Sequence, residues 1–378
     1  MADIHISRDE ENRLLKSLES RTDSEAARFR RYVAMPDLSR TEGNPLKEIV
    51  DRAKKTKSLA GFDVINIPEI VPTNILFDLF NMPEGHPARS KSDTYYVDEK
   101  NVLRTHDTVF WYYYLNDPTI KQRIANKETL GALCYGKVYR KDEIDSRHMN
   151  VFHQFGGLLL APDDGDKQIT PEDLKAALSE IARSIFGDTV EFRFYDHNFP
   201  YTDPSFEMEA FINGQWIELL GCGMARKTVL KNCGIEGYHG WAFGFGLERL
   251  AIASMSLPDI RLLWSTDERV TKQLQLGRIY QEVSKYPPTL RDISFIVDKD
   301  VALNNYYEIV REFAGNLIEE VKHLDTFENE AKFGPGKVSH TFRIIYRSPE
   351  RTLTNDEVNE IQDKIREKTA SELSAVLR

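Results

Sequence analysis

Gly240-Trp241-Ala242-Phe243-Gly244-Phe245-Gly246-Leu247-Glu248-Arg249-Leu250 reads as a strand running straight into a helix. Trp241 to Phe245 suits a strand that needs small residues at two positions, and Leu247, Leu250, Ala251 and Ser254 make an apolar stripe at helical spacing. Arg249 then falls in the first helical turn, where the positive end of the macrodipole disfavours a cation by a few tenths to about 1 kcal/mol. A cation kept there calls for an anion nearby. Gly244 and Gly246 remove side chains where something must approach the backbone, and a polyphosphate meets both demands. The plainer reading is a bare Gly-x-Gly beside a solvated arginine.

A second segment sharpens the first. Gly136-Lys137-Val138-Tyr139-Arg140-Lys141-Asp142-Glu143-Ile144-Asp145 leads through a polar loop to Val151-Phe152-His153-Gln154-Phe155. As two antiparallel strands, period two puts Arg140 with Asp142 on one face and Phe152 with Gln154 on one face. A cation, a carboxylate, an aromatic plate and an amide suit a nucleotide, although Tyr-Arg-x-Asp alone also describes an ordinary surface hairpin. The order of the two segments along the chain is a rarer coincidence than either alone.

Between them, Phe199 and Tyr201 flank Pro200 and point the same way if extended, offering ring edges to an aromatic ligand or simply to a core. Glu218 sits among apolar neighbours in Trp216-Ile217-Glu218-Leu219-Leu220, where a lone carboxylate is costly unless it meets a cation. Magnesium carried on ATP would satisfy it. Upstream, Leu103-Arg104-Thr105-His106-Asp107-Thr108 holds a histidine that, taken alone, is an ordinary hydrogen-bonded one.

The 378 residues suffice for two or three domains, and 41% hydrophobic with 29% charged residues is an ordinary globular balance. Cys134, Cys222 and Cys233 offer neither an even disulfide set nor a Cys-x-x-Cys zinc pair, which points to a reducing compartment. No apolar run reaches the roughly 18 residues of a membrane span. The acidic start lacks the features of a signal peptide or presequence, so a cytoplasmic location is expected, with an organelle the alternative if a presequence has been removed. A net charge of -10 argues against non-specific nucleic-acid binding while leaving room for a shaped RNA met by a local basic strip.

The charge and apolar pattern predicts an amphipathic helix over residues 8–32, a connector over 35–45 and a helix from Pro45. Residues 62–263 read as an α+β mixture, with one clear helix opened by Thr170-Pro-Glu-Asp173 and closed by Gly187. Two prolines mark a boundary over 284–288. Beyond it, a strand over 292–298, a helix over 305–320, a strand over 339–347 and a capped helix from Thr354 suit a split βαβ, ferredoxin-like module. The expected domains are residues 1–55 (helical region and linker), 56–275 (catalytic) and 284–378 (ferredoxin-like).

These blocks resemble the single-chain, organellar-type phenylalanyl-tRNA synthetases within class II. The resemblance runs from about Asn44 to the carboxyl terminus through His86-Pro-Ala-Arg89, Arg104-Thr-His106, Phe152-His-Gln154, Phe199-Pro-Tyr201-Thr202, Leu220-Gly-Cys-Gly-Met224, Gly240 to Leu250 and Asp292-Ile-Ser-Phe295. It implies an antiparallel sheet flanked by helices plus a carboxyl-terminal ferredoxin-like anticodon-binding domain. It also implies ATP-dependent formation of phenylalanyl-adenylate, then transfer to the terminal ribose of tRNA(Phe), by a single chain acting as a monomer without a membrane.

Carried over by position, Arg140 is expected at the α-phosphate, Arg249 at the γ-phosphate, Phe152 under adenine, Glu218 on the ATP-bound Mg2+ and His148 near the outer phosphates, with Asp142 and Gly246 completing the nucleotide site. His106, Asp107, Thr108 and Gln154 are expected at the amino acid's polar end, and Phe199, Tyr201, Ala242 and Gly244 around its side chain. Lys332, Lys337, Arg343, Arg347 and Arg351 form the expected basic strip for tRNA.

The chain departs from the family pattern beside that pocket. Asp107-Thr108 stands for the common Thr-Ser, Trp111 for a glutamine, Gly156 for a glutamate and Tyr201 for a phenylalanine. Asp107 is the expected replacement for the missing carboxylate. A paralogue activating another amino acid, polar aromatic or non-standard, is the alternative, and a non-catalytic tRNA-binding relative the third reading. Retention of Arg140, Glu218 and Arg249 together speaks against the third.

Overall fold

The computed structural model describes residues 2–141 and 145–378. It divides into two compact units, Met1–Tyr280 and Gln281–Arg378.

The first unit is built on an eight-stranded sheet in the order Asp3–His5, Asp63–Asn66, Leu130–Tyr139, Val151–Pro162, Tyr238–Gly246, Gln215–Ala225, Thr202–Ile212, Glu191–His197. The first two contacts are parallel and the remaining five antiparallel. Long antiparallel strands thus occupy the middle, where both faces are covered. The helix Pro171–Phe186 has the expected Thr170–Asp173 capping box and ends at Gly187, whose φ of +91° suits glycine.

The amino-terminal residues, expected as a helical region and linker over 1–55, lie in the same compact unit as residues 56–275. Asp3–His5 extends the main sheet, and the helix expected over 8–32 is two helices, Asp9–Ser20 and Ser24–Ala34. Asp23 causes the break: its carboxylate accepts from the Ala26 amide and starts the second helix. Leu18, Ala26 and Phe29 are buried in one cluster with Tyr95, Leu103, Tyr139 and Val151, so these helices brace the strand that ends just before Arg140 and the strand that carries Phe152.

The second unit is a four-stranded antiparallel sheet ordered Ile318–Phe327, Lys337–Tyr346, Thr289–Asp298, Val376–Leu377, with helices Asn304–Ala314 and Asn355–Glu372. Tyr306, Ile309 and Val310 of the first helix, Val358 and Ile365 of the second, and Phe295, Phe342 and Ile344 of the sheet share one core. The expected helix over 305–320 stops at Ala314. Gly315, at φ +51°, turns the chain, and Ile318-Glu-Glu-Val becomes the start of an edge strand whose charges hide its strand character.

Candidate active site

The cavity begins with a row of glycines. Gly156 stands opposite Gly244, and Gly244 opposite Gly221, so three neighbouring strands present no side chain at one level of the sheet. Two side chains from loops lie against that bare floor. A Cβ on Gly221 would come within 2.5 Å of the Phe199 ring, and one on Gly156 within 2.6 Å of the Asp107 carboxylate. Any residue but glycine would displace them. On the opposite face Phe155, Phe243 and Phe245 pack together, which anchors the strands.

Above the floor is a cavity of about 1100 Å³. Arg140, His148, Phe152, Gln154, Glu218, Gly246 and Arg249 line it, as do His106, Asp107, Thr108, Phe199, Tyr201, Ala242 and Gly244. Arg140 and Arg249, distant in sequence, therefore face one space. Asp142 lies outside the described residues. Arg140 donates from Nε to the Thr105 carbonyl at 2.9 Å, and its guanidinium stands 5.3 Å from the centre of the Phe152 ring. Arg249, in the first turn of Leu247–Met255, pairs with Glu218 at 2.5 Å, and both side chains are half exposed. The anion demanded by the dipole argument is here a carboxylate. His148 is held by Asp145 at 2.9 Å.

The other end of the cavity is aromatic and closed. Phe199 and Tyr201 stack in parallel with centroids 5.7 Å apart, and Trp111 and Phe80 meet Tyr201 edge-on. Burial pushes the Tyr201 phenol up to about 12. At the boundary between this end and the arginines lie buried polar groups without partners. Both ring nitrogens of His106 and Oδ2 of Asp107 make no hydrogen bond. Burial, reinforced by Arg140 and Arg104, pushes His106 down to about 3, so the ring is neutral. Burial pushes Asp107 up to about 7, and Arg104 and Arg140 only partly oppose it. The Asp107 amide donates to Gln154 Oε1 at 2.9 Å, which fixes the loop on the strand. Orphaned buried groups of this kind await a donor or a cation.

The sequence models of two known families meet these two units. The tRNA synthetases class II core domain (F) matches residues 32–274, and the ferredoxin-fold anticodon binding domain matches residues 284–378. The chain is 43% identical over 323 residues to the chloroplastic/mitochondrial phenylalanine-tRNA ligase of Arabidopsis thaliana, covering 83% of this chain and 72% of that protein. The mitochondrial ligase of Mus musculus is 36% identical over 337 residues, covering 80% and 72%. The alpha subunit of the Clostridium perfringens ligase is 38% identical over 259 residues, covering 64% and 72%. The chain belongs to the phenylalanine-tRNA ligases, in class II of the aminoacyl-tRNA synthetases.

In this ligase the expected basic strip is not a free positive surface. Lys337 pairs with Asp298 at 3.0 Å, Arg343 with both oxygens of Asp292 at 2.8 Å, and Arg351 with Glu357 at 2.5 Å. Arg347 bonds Glu319 and the Tyr286 carbonyl and is largely buried, so it belongs to the framework of the domain. Lys332 lies off the strip, on the short helix Glu330–Phe333, and is exposed. Such pairing follows from the acidic composition of the chain. Two further residues escaped the sequence reading as individuals: His153 and Glu248, buried and bonded to each other, with His153 behind the cavity and Glu248 in its wall.

The described residues contain no cluster of three or more acidic, histidine or cysteine side chains able to cage a metal. Class II synthetases use ATP with Mg2+, and an ion arriving on the nucleotide needs only one or two protein carboxylates. Glu218 is half exposed and lines the cavity, so the residues fit that mode. No helix among the described residues is long and apolar enough to cross a membrane.

Proposed function

We propose that the ligase activates phenylalanine with ATP in this cavity and then passes the acyl group to the terminal ribose of tRNA(Phe). The observation that carries this reading is that Arg140, Phe152, Glu218 and Arg249 line one cavity with the Phe199–Tyr201 ring stack and the unpartnered Asp107. A substrate carboxylate oxygen attacks the α-phosphorus of ATP, the bond to the β-phosphate bridging oxygen breaks, and pyrophosphate leaves. The step needs no protein nucleophile, so catalysis rests on positioning and charge neutralisation. Arg140 faces the α-phosphate and Phe152 stacks on adenine. Arg249 exchanges Glu218 for the γ-phosphate, and Glu218, so released, would hold magnesium carried on the nucleotide, which would add to the neutralisation of the phosphates. At the polar end, His106, Thr108 and Gln154 surround the amino acid, and Asp107 takes its ammonium. Ala242 and Gly244 leave room for the ring.

Phenylalanine-dependent ATP-pyrophosphate exchange followed by charging of total tRNA tests the reading. Exchange and charging by phenylalanine are expected; exchange with an unrelated amino acid only, or none at all, would overturn it. Tyr201 gives a second reading a foothold, because its hydroxyl makes no hydrogen bond among the described residues and stands at the substrate end. A paralogue for a polar aromatic substrate would exchange meta-tyrosine or tyrosine at least as well as phenylalanine. Strict rejection of both removes that reading.

For tRNA, the exposed ion pairs described above are screened by solvent and weak, so RNA phosphates can displace the carboxylates cheaply. Arg343→Glu with Lys332→Glu is expected to weaken tRNA charging about tenfold or more at 150 mM salt, to flatten its salt dependence, and to leave pyrophosphate exchange unchanged. Equal charging by variant and parent would remove the strip from the RNA interface. The names of the relatives support an organellar compartment over the cytoplasmic one expected from the sequence, and the presence of both the core and the anticodon-binding domain on one chain supports action as a single chain.

A further inference from the structure

His153 lies between Phe152 and Gln154 on the Val151–Pro162 strand, and by alternation its ring points away from the cavity. It is fully buried. Its ring Nδ1 meets Glu248 Oε1 at 2.6 Å, and its amide donates to Glu248 Oε2 at 2.9 Å. The Leu38 amide donates to Nε2 at 2.9 Å, which makes Nε2 the acceptor and leaves the proton on Nδ1, pointing at Glu248. Glu248 is itself buried and immediately precedes Arg249.

We propose that Glu248 and His153 form a clamp that sets the distance and angle between the two halves of the ATP site, and that both are positioning residues for adenylate formation. The inference rests on the ATP reading above. The clamp joins the strand carrying Phe152 and Gln154 to the helix turn carrying Arg249 through two hydrogen bonds to one carboxylate. A carboxylate gripped at both oxygens has no rotational freedom, whereas the half-exposed Arg249 has several rotatable bonds and needs its backbone held. The segment carrying Leu38 completes the device. Lys137 donates to the Val33 and Met35 carbonyls, each at 2.7 Å, and so ties that segment to the neighbouring strand.

The tautomer makes the test specific. In Glu248→Gln the amide cannot accept from both the His153 amide and Nδ1–H. Turning its NH2 to the ring requires the other tautomer, which then opposes the Leu38 amide. Glu248→Gln is expected to raise the KM for ATP about tenfold and to lower kcat of pyrophosphate exchange about tenfold. Equilibrium binding of phenylalanine in the absence of ATP weakens severalfold less than the KM for ATP rises, since of the groups the clamp holds only Gln154 belongs to the amino-acid end. His153→Asn keeps a donor near the Nδ1 position, and His153→Gln keeps volume and a polar atom near Nε2 without it. The clamp ranks Asn above Gln in exchange activity; a space-filling role ranks Gln above or equal to Asn. That ranking stands even if Glu248→Gln does not fold.

An unchanged KM for ATP in folded Glu248→Gln, equal losses toward both substrates, or the reversed ranking would each overturn the clamp. Failure of the ATP reading itself is distinguishable, because the parent enzyme would then show no exchange.

Discussion

Arg249→Ala lowers the rate of ATP-pyrophosphate exchange by about two to three decades, the size seen when one preorganised charge on a developing anion is removed. Two losses combine. The cation that meets the terminal phosphate is gone, and Glu218, paired with Arg249 at 2.5 Å in the free enzyme, loses the partner that holds it before the nucleotide arrives. The second loss can be separated from the first. Glu218→Gln on the Arg249→Ala background is expected to lower kcat/KM for ATP by more than the two single losses combined, because each single change already spares the enzyme the breaking of the pair while the double variant lacks both the cation and the carboxylate for magnesium. Arg249→Lys is expected to rescue only partly, since an ammonium cannot span two phosphate oxygens as a guanidinium does. Steady-state exchange kinetics at varied ATP check all three; additive effects of the Glu218 and Arg249 changes would show that the pair is not exchanged during the reaction.

Asp107→Asn raises the phenylalanine KM by about one to two decades with much less effect on ATP. The reason lies in the floor. Gly156 stands where the resemblance expects a glutamate for the ammonium, and the Asp107 carboxylate lies against that gap, 2.6 Å from where a Cβ would be. The two arrangements exclude each other. Gly156→Glu alone is therefore expected to lose phenylalanine activation by about two decades or more through collision and like-charge repulsion. Gly156→Glu with Asp107→Thr should return to within about tenfold of the parent, a strongly non-additive cycle. Equal effects of Asp107→Asn on both substrates, or additivity in the cycle, would remove Asp107 from the ammonium site.

The same carboxylate predicts a pH dependence. With Asp107 at about 7, only its ionised fraction can pair with the ammonium, so phenylalanine binds more tightly as pH rises from 5.5 to 7.5, and Asp107→Asn loses the trend. Stability runs the other way. The folded value lies above the unfolded 3.8, so the folded state holds the proton more tightly. The resulting stabilisation is complete below about pH 4 and is lost as pH climbs through 7. Urea unfolding should thus show Asp107→Asn gaining on the parent between pH 5.5 and 8, by up to a few kcal/mol. In the proposed role, Asp107 would serve its ligand at the expense of the fold.

Local patterns were legible: the strand and helix around Arg249, the Thr170 and Thr354 capping boxes and the paired arginine segments. Each is set within a dozen residues by periodicity or capping chemistry. What escaped depends on partners remote in sequence. Asp3–His5 is a strand only because Asp63–Asn66 lies beside it, and three residues show no period. Ile318–Phe327 carries so many charges that its alternation is lost, and pairing along Lys337–Tyr346 supplies what propensity does not. Four cations of the basic strip looked free because Asp298, Asp292, Glu319 and Glu357 are not adjacent in sequence. His153 and Glu248 are 95 positions apart, and nothing local distinguishes their bond.

The glycine row has one more consequence. Gly156, Gly244 and Gly221 share a level across three strands, so at that level the sheet offers a substrate no side chain, and the groups that lie over it, Asp107 and Phe199, come from loops. Substrate preference in this scaffold is therefore detachable from the stability of its core. A library confined to the residues that overhang the sheet could explore new amino acids while every backbone pairing beneath them stays as it is.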